Sequence, residues 1–234
     1  MSFLNLLCLV VLGCDEQTGR SVCCTIQTCL LLSSGENRDS QTMNLRNPDS
    51  GPSASPARQR LLETATRLFY TEGIHAVGID RIIAEAGVAK ATFYNHFPSK
   101  DDLVLAYIKD QDRIGREAVA ALPKRPPREM IAAVMGRISE AVVVGDWRGC
   151  PFLNAAAEYP NATSPVRQAI DARRAWYHGV LRELLEADGD PAPAVTASLL
   201  VAVSDGLLES AYLDDAKQIA ALIREALARI LVPR

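Results

Sequence analysis

Residues 87–100, GVAKATFYNHFPSK, bring a lysine, a threonine, a tyrosine, an asparagine and a histidine into one short stretch. At the 100° per residue of a helix, Phe93 and Phe97 fall together. With Val88 they would plug the segment into a core made by Leu68, Ile82 and Ile83. The opposite arc then carries Ala91, Thr92, Tyr94 and Asn95. Those side chains suit the edges and backbone of a DNA groove: Thr92 donates to phosphate or meets a thymine methyl, Tyr94 and Asn95 hydrogen-bond, and Ala91 permits close approach. Lys90 opens the helix, where its charge and the free N–H groups favour phosphate. His96, Ser99 and Lys100 would flank the same backbone.

A helix this short is not stable alone, so neighbouring elements must hold it in place. Ser55 followed by Pro56 reads as an N-cap and first helical position, and Leu61, Leu62, Ala65, Leu68 and Phe69 recur at helical spacing to about Thr71. Gly73 ends that helix. A second short helix from Ile79 would bury Ile79, Ile82, Ile83 and Ala86 and stop at Gly87, and a third runs from Ala89 to His96. Two short helices joined by a glycine turn and braced by a longer one form a helix-turn-helix unit. Ser99 and Asp102 make a capping-box-like start to a fourth helix, with Leu103, Val104, Tyr107, Ile108 and Ile114 on its apolar face, running to about Leu122.

The PKRPP stretch at 123–127 breaks the fourth helix. Further helices are expected over about 128–144, 151–157, 163–187, 192–213 and 215–231, separated by Gly145–Gly149, YPNATSP and DGDPAP. No alternating strand pattern and no internal repeat is present, so the fold class is all-α. None of these segments reads as apolar enough all round to cross a membrane.

Charge narrows function only weakly. The net charge is −3, and residues 55–101 set Arg58, Arg60, Arg67, Arg81, Lys90 and Lys100 against Glu63, Glu72, Asp80, Glu85 and Asp101. Any nucleic-acid binding must therefore come from a local patch. The chain has no Gly-rich phosphate loop, G-x-S-x-G elbow or H-E-x-x-H pair, and its three histidines are scattered, so neither an enzyme nor a cofactor is expected.

Cys8, Cys14, Cys23, Cys24 and Cys29 crowd the first thirty residues, and Cys150 stands alone in the body. The folded part thus lacks a disulfide framework, and Cys23, Cys24 and Cys29 match no common zinc spacing, so no metal site is expected. Residues 3–12, FLNLLCLVVL, resemble a signal-peptide core, and VLGC ending at Cys14 loosely resembles a lipoprotein cleavage site, but no Lys or Arg precedes the run. One alternative is therefore a lipid-anchored helical small-molecule-binding protein matured at Cys14. The preferred reading starts translation at Met43, with residues 1–42 an upstream extension or unstructured tail and the stretch from Met43 a flexible leader. Residues 1–54 together then form a disordered extension or leader ahead of the folded part.

Residues 58–105, RQRLLETATRLFYTEGIHAVGIDRIIAEAGVAKATFYNHFPSKDDLVL, resemble the DNA-binding domain of the TetR family of bacterial transcriptional regulators. The departures are Gly78 and Ala89, where the family usually has capping hydroxyls, and Ile83, where alanine is usual. The resemblance implies a helix-turn-helix domain over 55–101 and a ligand-binding and dimerisation domain over 102–234. It implies a homodimer in the cytoplasm, most simply a repressor, that binds a double-stranded operator, is released by a small-molecule effector and makes no membrane contact. Lys90, Thr92, Tyr94, His96 and Lys100 match the family's DNA-contacting positions, with Arg81 and Asn95 extending the set.

For the effector, apolar walls with a few polar groups are needed, and the candidates are Tyr107, Met135, Trp147, Cys150, Phe152, Asn154, Trp176, Tyr177, His178 and Tyr212. RGCPFLNAAAEYP at 148–160 resembles a short helix that lies near the pocket in one branch of the family. Cys150 reads either as a redox sensor or as inert packing. For dimerisation, Val195, Leu199, Val203 and Leu207 form an apolar row on the 193–212 helix, with Ala194, Ala197, Ala202 and Ala211 between them. By the same resemblance the 163–187 helix would complete an intersubunit four-helix bundle, burial within one subunit being the competing reading, and the last helix would brace its own subunit.

Overall fold

Proline opens five of the helices, at a position whose missing N–H has no intrahelical partner in any case. In the computed structural model of the chain, residues 55–142, 147–214 and 216–231 are described. The expected extension at 1–54, with Cys14 and Met43, lies outside them. The elements are α1 (Pro56–Glu72), α2 (Ile79–Ala86), α3 (Lys90–His96), α4 (Lys100–Ala120), α5 (Pro127–Val142), α6 (Pro151–Glu158), α7 (Pro165–Ala187), α8 (Pro193–Leu213), a 3-10 turn (Ala216–Gln218) and α9 (Ile219–Ile230). The described residues contain no strand, and the chain is all-α as expected.

Local chemistry sets the ends of the elements that matter most. Gly87 closes α2 in the left-handed region at φ 62°, and its N–H and that of Val88 return to the last carbonyls of the helix. The chain can then turn sharply into α3. Ser99 caps α4: its Oγ accepts from the Asp102 N–H at 3.1 Å and donates to the Asp102 carboxylate at 2.7 Å. Gly78 and Ala89 cap α2 and α3 without any side-chain hydrogen bond, so the hydroxyl contacts expected of the family are missing here.

Two cores share the molecule. The first is built on Leu61, Ala65, Leu68, Phe69, Ile82, Phe93, Phe97, Leu103, Tyr107 and Ile108, and it reaches Ala155 of α6 and Val166 and Ile170 of α7. Ile79 and Ile83 are only half-buried, so the interior of α2 is Ile82 and Ala86. The second core joins Ile131, Val134, Met135 and Ile138 of α5 to Leu181 and Leu185 of α7, Leu200, Val201 and Leu207 of α8, and Ile223 and Leu227 of α9. The last helix packs on α5 and α8 of its own chain, the bracing expected of it.

Two expectations about α8 need correction. The Val195, Leu199, Val203, Leu207 row is not a single face: Val195 and Leu199 are 62% and 52% exposed, whereas Leu207 is buried. Steps of four residues advance about 40° on a helix of 3.6 residues per turn, so three steps carry the row from the surface into the core. Moreover, α8 is long and apolar enough, by length and composition, to cross a membrane, and most of it is not buried in the chain. Its two opposite faces are both apolar; one meets the second core and the other is open.

Candidate nucleic-acid interface

Phe93 has no exposed surface and Phe97 almost none, so the two rings fix the rotation of α3 on α1, α2 and α4. The ring of Phe97 also carries the Arg58 guanidinium, 5.0 Å from its centroid. Locked in this way, α3 turns Ala91, Tyr94 and Asn95 fully outward, with Thr92 and His96 half-buried at the edges of that face. Tyr94 is 44% exposed and its ring stands edge-on to Phe93, 5.2 Å between centroids. An exposed tyrosine held by a buried phenylalanine spends little rotamer entropy on contact with a partner.

The cations occupy unlike places. Lys90 pairs with Asp80 of α2 at 3.0 Å, and that hydrogen bond raises the affinity of its ammonium for the proton. Lys100 begins α4 and is partly buried, which pulls its ammonium below the usual range. Arg81 points back toward α1. Its guanidinium holds Glu72, one contact at 2.8 Å, and Glu85 at 2.9 Å, while Arg67 also binds Glu85. These hydrogen bonds hold the Glu72 and Glu85 carboxyls below the ordinary carboxylate range. Arg81 therefore braces α1 against α2 in this structure.

The headpiece is tied to the body through α6. Glu158, at the end of that helix, accepts the backbone N–H groups of Ile74 at 2.8 Å and His75 at 2.5 Å, and its carboxylate lies 3.1 Å from His75 Nδ1. The Tyr70 hydroxyl, whose pKa burial pushes up to about 12, donates to the Gly149 carbonyl and accepts from the Arg148 N–H. Tyr159 donates to Asp101 at 2.7 Å. The two ends of α6 thus grip α1, the turn after it and the start of α4.

The effector candidates do not gather in one place. Tyr107, Asn154 and Tyr212 line a cleft of about 280 Å³ between the end of α1, α6 and the end of α8, together with Glu72, Arg148, Glu158 and Glu209. His178 sits in the groove between α7 and α8, near Ser198 Oγ at 3.1 Å. Trp147 donates to the Leu208 carbonyl at 2.9 Å. Phe152, Trp176 and Tyr177 surround Arg173, while Met135 Sδ receives the Tyr177 hydroxyl at 3.4 Å. Sequence reading chose the rings but missed the cation among them, although Trp176 and Tyr177 stand three and four residues after Arg173, on one helix face. Cys150, at the N-cap position of α6, carries a buried free thiol, and burial raises its pKa away from the reactive thiolate.

An all-α chain whose short third helix is plugged by two phenylalanines and offers a polar outer arc is a helix-turn-helix DNA-binding regulator. Comparison with known proteins agrees: a family model described as "Bacterial regulatory proteins, tetR family" matches residues 61–107. The crystal structure of SCO4454, a TetR-family transcriptional regulator from Streptomyces coelicolor, is 42% identical, with a TM-score of 0.72 over 75% of this chain and 94% of that one. That of sav143 from Streptomyces avermitilis is 30% identical, with a TM-score of 0.67 over 75% of this chain and 96% of its own. The HTH-type transcriptional regulator LmrA of Bacillus subtilis is 29% identical over 137 residues, 57% of this chain and 73% of LmrA. The chain belongs to the TetR family of bacterial transcriptional regulators.

Proposed function

We propose that the protein is a cytoplasmic, homodimeric repressor that binds a pseudo-palindromic operator and is released by a small-molecule effector. Residues 55–101 act as the DNA-reading domain and residues 102–234 as the sensing and dimerising domain. Lys90, Thr92, Tyr94, Asn95, His96 and Lys100 meet the DNA, and Arg81 joins them once it exchanges a carboxylate for a phosphate. The observation that carries the reading is the outward arc of α3, held in register by Phe93 and Phe97.

The open apolar face of α8 supports the dimer. Val195 and Leu199, with the small residues Ala194, Ser198, Ala202 and Gly206 beside them, leave a surface that another helix can approach closely. Paired with α7, this face forms a four-helix bundle across a two-fold axis, and the symmetry sets the two α3 helices on successive turns of the duplex. The effector then works by preferring the conformer whose α3 spacing mismatches DNA, since equal affinity for both conformers shifts nothing.

Transcription in vitro from a promoter carrying the bound sequence tests the repressor reading. Added protein should lower transcript in proportion to operator occupancy. A transcript that rises with occupancy would make the protein an activator instead.

A further inference from the structure

The second cation of α7, Arg173, lacks the partners its position demands. Its side chain is 17% exposed, its Nη1 is fully buried, and no hydrogen-bond acceptor reaches that nitrogen. Asp112 of α4 lies 3.4 Å from Nε, but the same carboxylate already receives the Arg116 Nε–H, which is shared between its two oxygens at 2.8 and 2.9 Å. Two guanidiniums therefore share one carboxylate, and one positive charge is left over. Burial pulls the Arg173 guanidinium below its usual range, and Asp112 only partly offsets this. A guanidinium nevertheless stays charged.

Aromatic side chains supply the surroundings. The Arg173 guanidinium lies 4.5 Å from the Trp176 ring centroid and 5.5 Å from those of Phe152 and Tyr177, and Arg116 is also 4.5 Å from Trp176. Ring faces tolerate a cation but accept no in-plane hydrogen bond, so the buried Nη1 remains without an acceptor. Gly115 of α4 is part of the arrangement: a Cβ there would stand 3.2 Å from Arg173 Nη2. An unsatisfied buried donor in a native fold calls for an explanation, and a missing ligand atom is one.

We propose that Arg173 anchors the carboxylate of an aromatic organic acid, whose planar body stacks among Phe152, Trp176 and Tyr177. The inference rests on the reading that the body of this regulator holds an effector, and it names the effector's class. One carboxylate matches the single uncompensated charge, and its two oxygens match the planar fork of a guanidinium. Coupling to the headpiece follows from α6. Phe152 sits in its first turn and Glu158 at its last residue, so an acid that stacks on Phe152 and shifts α6 also moves the carboxylate that holds Ile74 and His75.

Calorimetric titration of the full-length protein with 2-naphthoate, salicylate and indole-3-acetate, each beside its uncharged amide, tests the proposal. At least one acid should bind at least tenfold more tightly than its amide. In Arg173→Met that discrimination should vanish while the melting temperature stays at or above that of the wild type, since the variant removes a buried unpaired charge. Arg173→Lys, which keeps the charge without the fork, should recover part of the preference.

Equal affinity for acid and amide, unchanged discrimination in Arg173→Met, or no binding of any of the three acids would overturn the proposal. If Arg173→Met does not fold, the wild-type comparison of acid with amide decides alone. Operator affinity followed in parallel separates the two readings. Acid binding that leaves operator affinity unchanged upholds the site and removes the switch. Release by a neutral compound, with no acid preference, keeps the switch and removes the site.

Discussion

Phe93 and Tyr94 are neighbours in the chain with opposite duties. Phe93 is wholly buried and sets the rotation of α3, whereas Tyr94 is presented to whatever α3 meets. Truncating Phe93 to alanine should cost about 3–5 kcal/mol of stability, the range for a large aromatic removed from a core. Denaturant unfolding of Phe93→Ala measures this, and a loss below about 1 kcal/mol would mean that the ring does not fix α3. This division between neighbours was readable in the sequence because it follows from helical spacing within a few residues. Arg173 was not readable in that way. Its partners Asp112 and Phe152 come from other helices, and an arginine on an amphipathic helix ordinarily reads as a solvated charge.

Between α1 and α2 the brace is ionic. Arg81 and Arg67 hold the Glu72 and Glu85 carboxyls below their ordinary range. Carboxyls depressed by folding stabilise the native state above their unfolded pKa, and that stabilisation is lost as pH falls through the folded value. Headpiece stability should therefore drop on acidification below about pH 4, and Arg81→Gln should show a shallower drop from a lower neutral value. Melting curves from pH 7 to pH 3 provide the comparison, and parallel profiles for the two proteins would rule out Arg81 as the brace. The helices themselves were largely evident from their prolines, glycines and the Ser99 cap, with ends displaced by a few residues at most. The α8 row departs from a single face because a four-residue spacing drifts around the helix, and only the packed structure shows which end of the row faces outward.

In the folded chain, one apolar face of α8 is left uncovered while the other is packed in the second core. Val195 and Leu199 on α8 are exposed in the isolated chain, and this is the surface that dimerisation would bury. Leu199→Glu should convert the protein to a monomer in sedimentation velocity, leave its helicity intact and lower operator affinity at least tenfold, because a single α3 reads only one half-site. A dimeric Leu199→Glu protein would place the interface elsewhere. Family membership follows from the helix-turn-helix sequence and from its solved relatives. The proposed effector site is less readable, since the residues around Arg173 are assembled from α4, α6 and α7, which are distant in sequence.

In the proposed function, paired α3 helices read DNA through Thr92 and Tyr94. The most direct test is selection of bound sequences from random duplex DNA by the wild-type protein and by a Thr92→Ala, Tyr94→Ala double variant. Wild-type protein should enrich an inverted repeat with half-sites about one helical turn apart, and the variant, still folded and dimeric, should lose that enrichment. The same repeat enriched equally by both proteins would contradict the role of this face, and no enrichment by a folded wild-type dimer would contradict DNA reading itself.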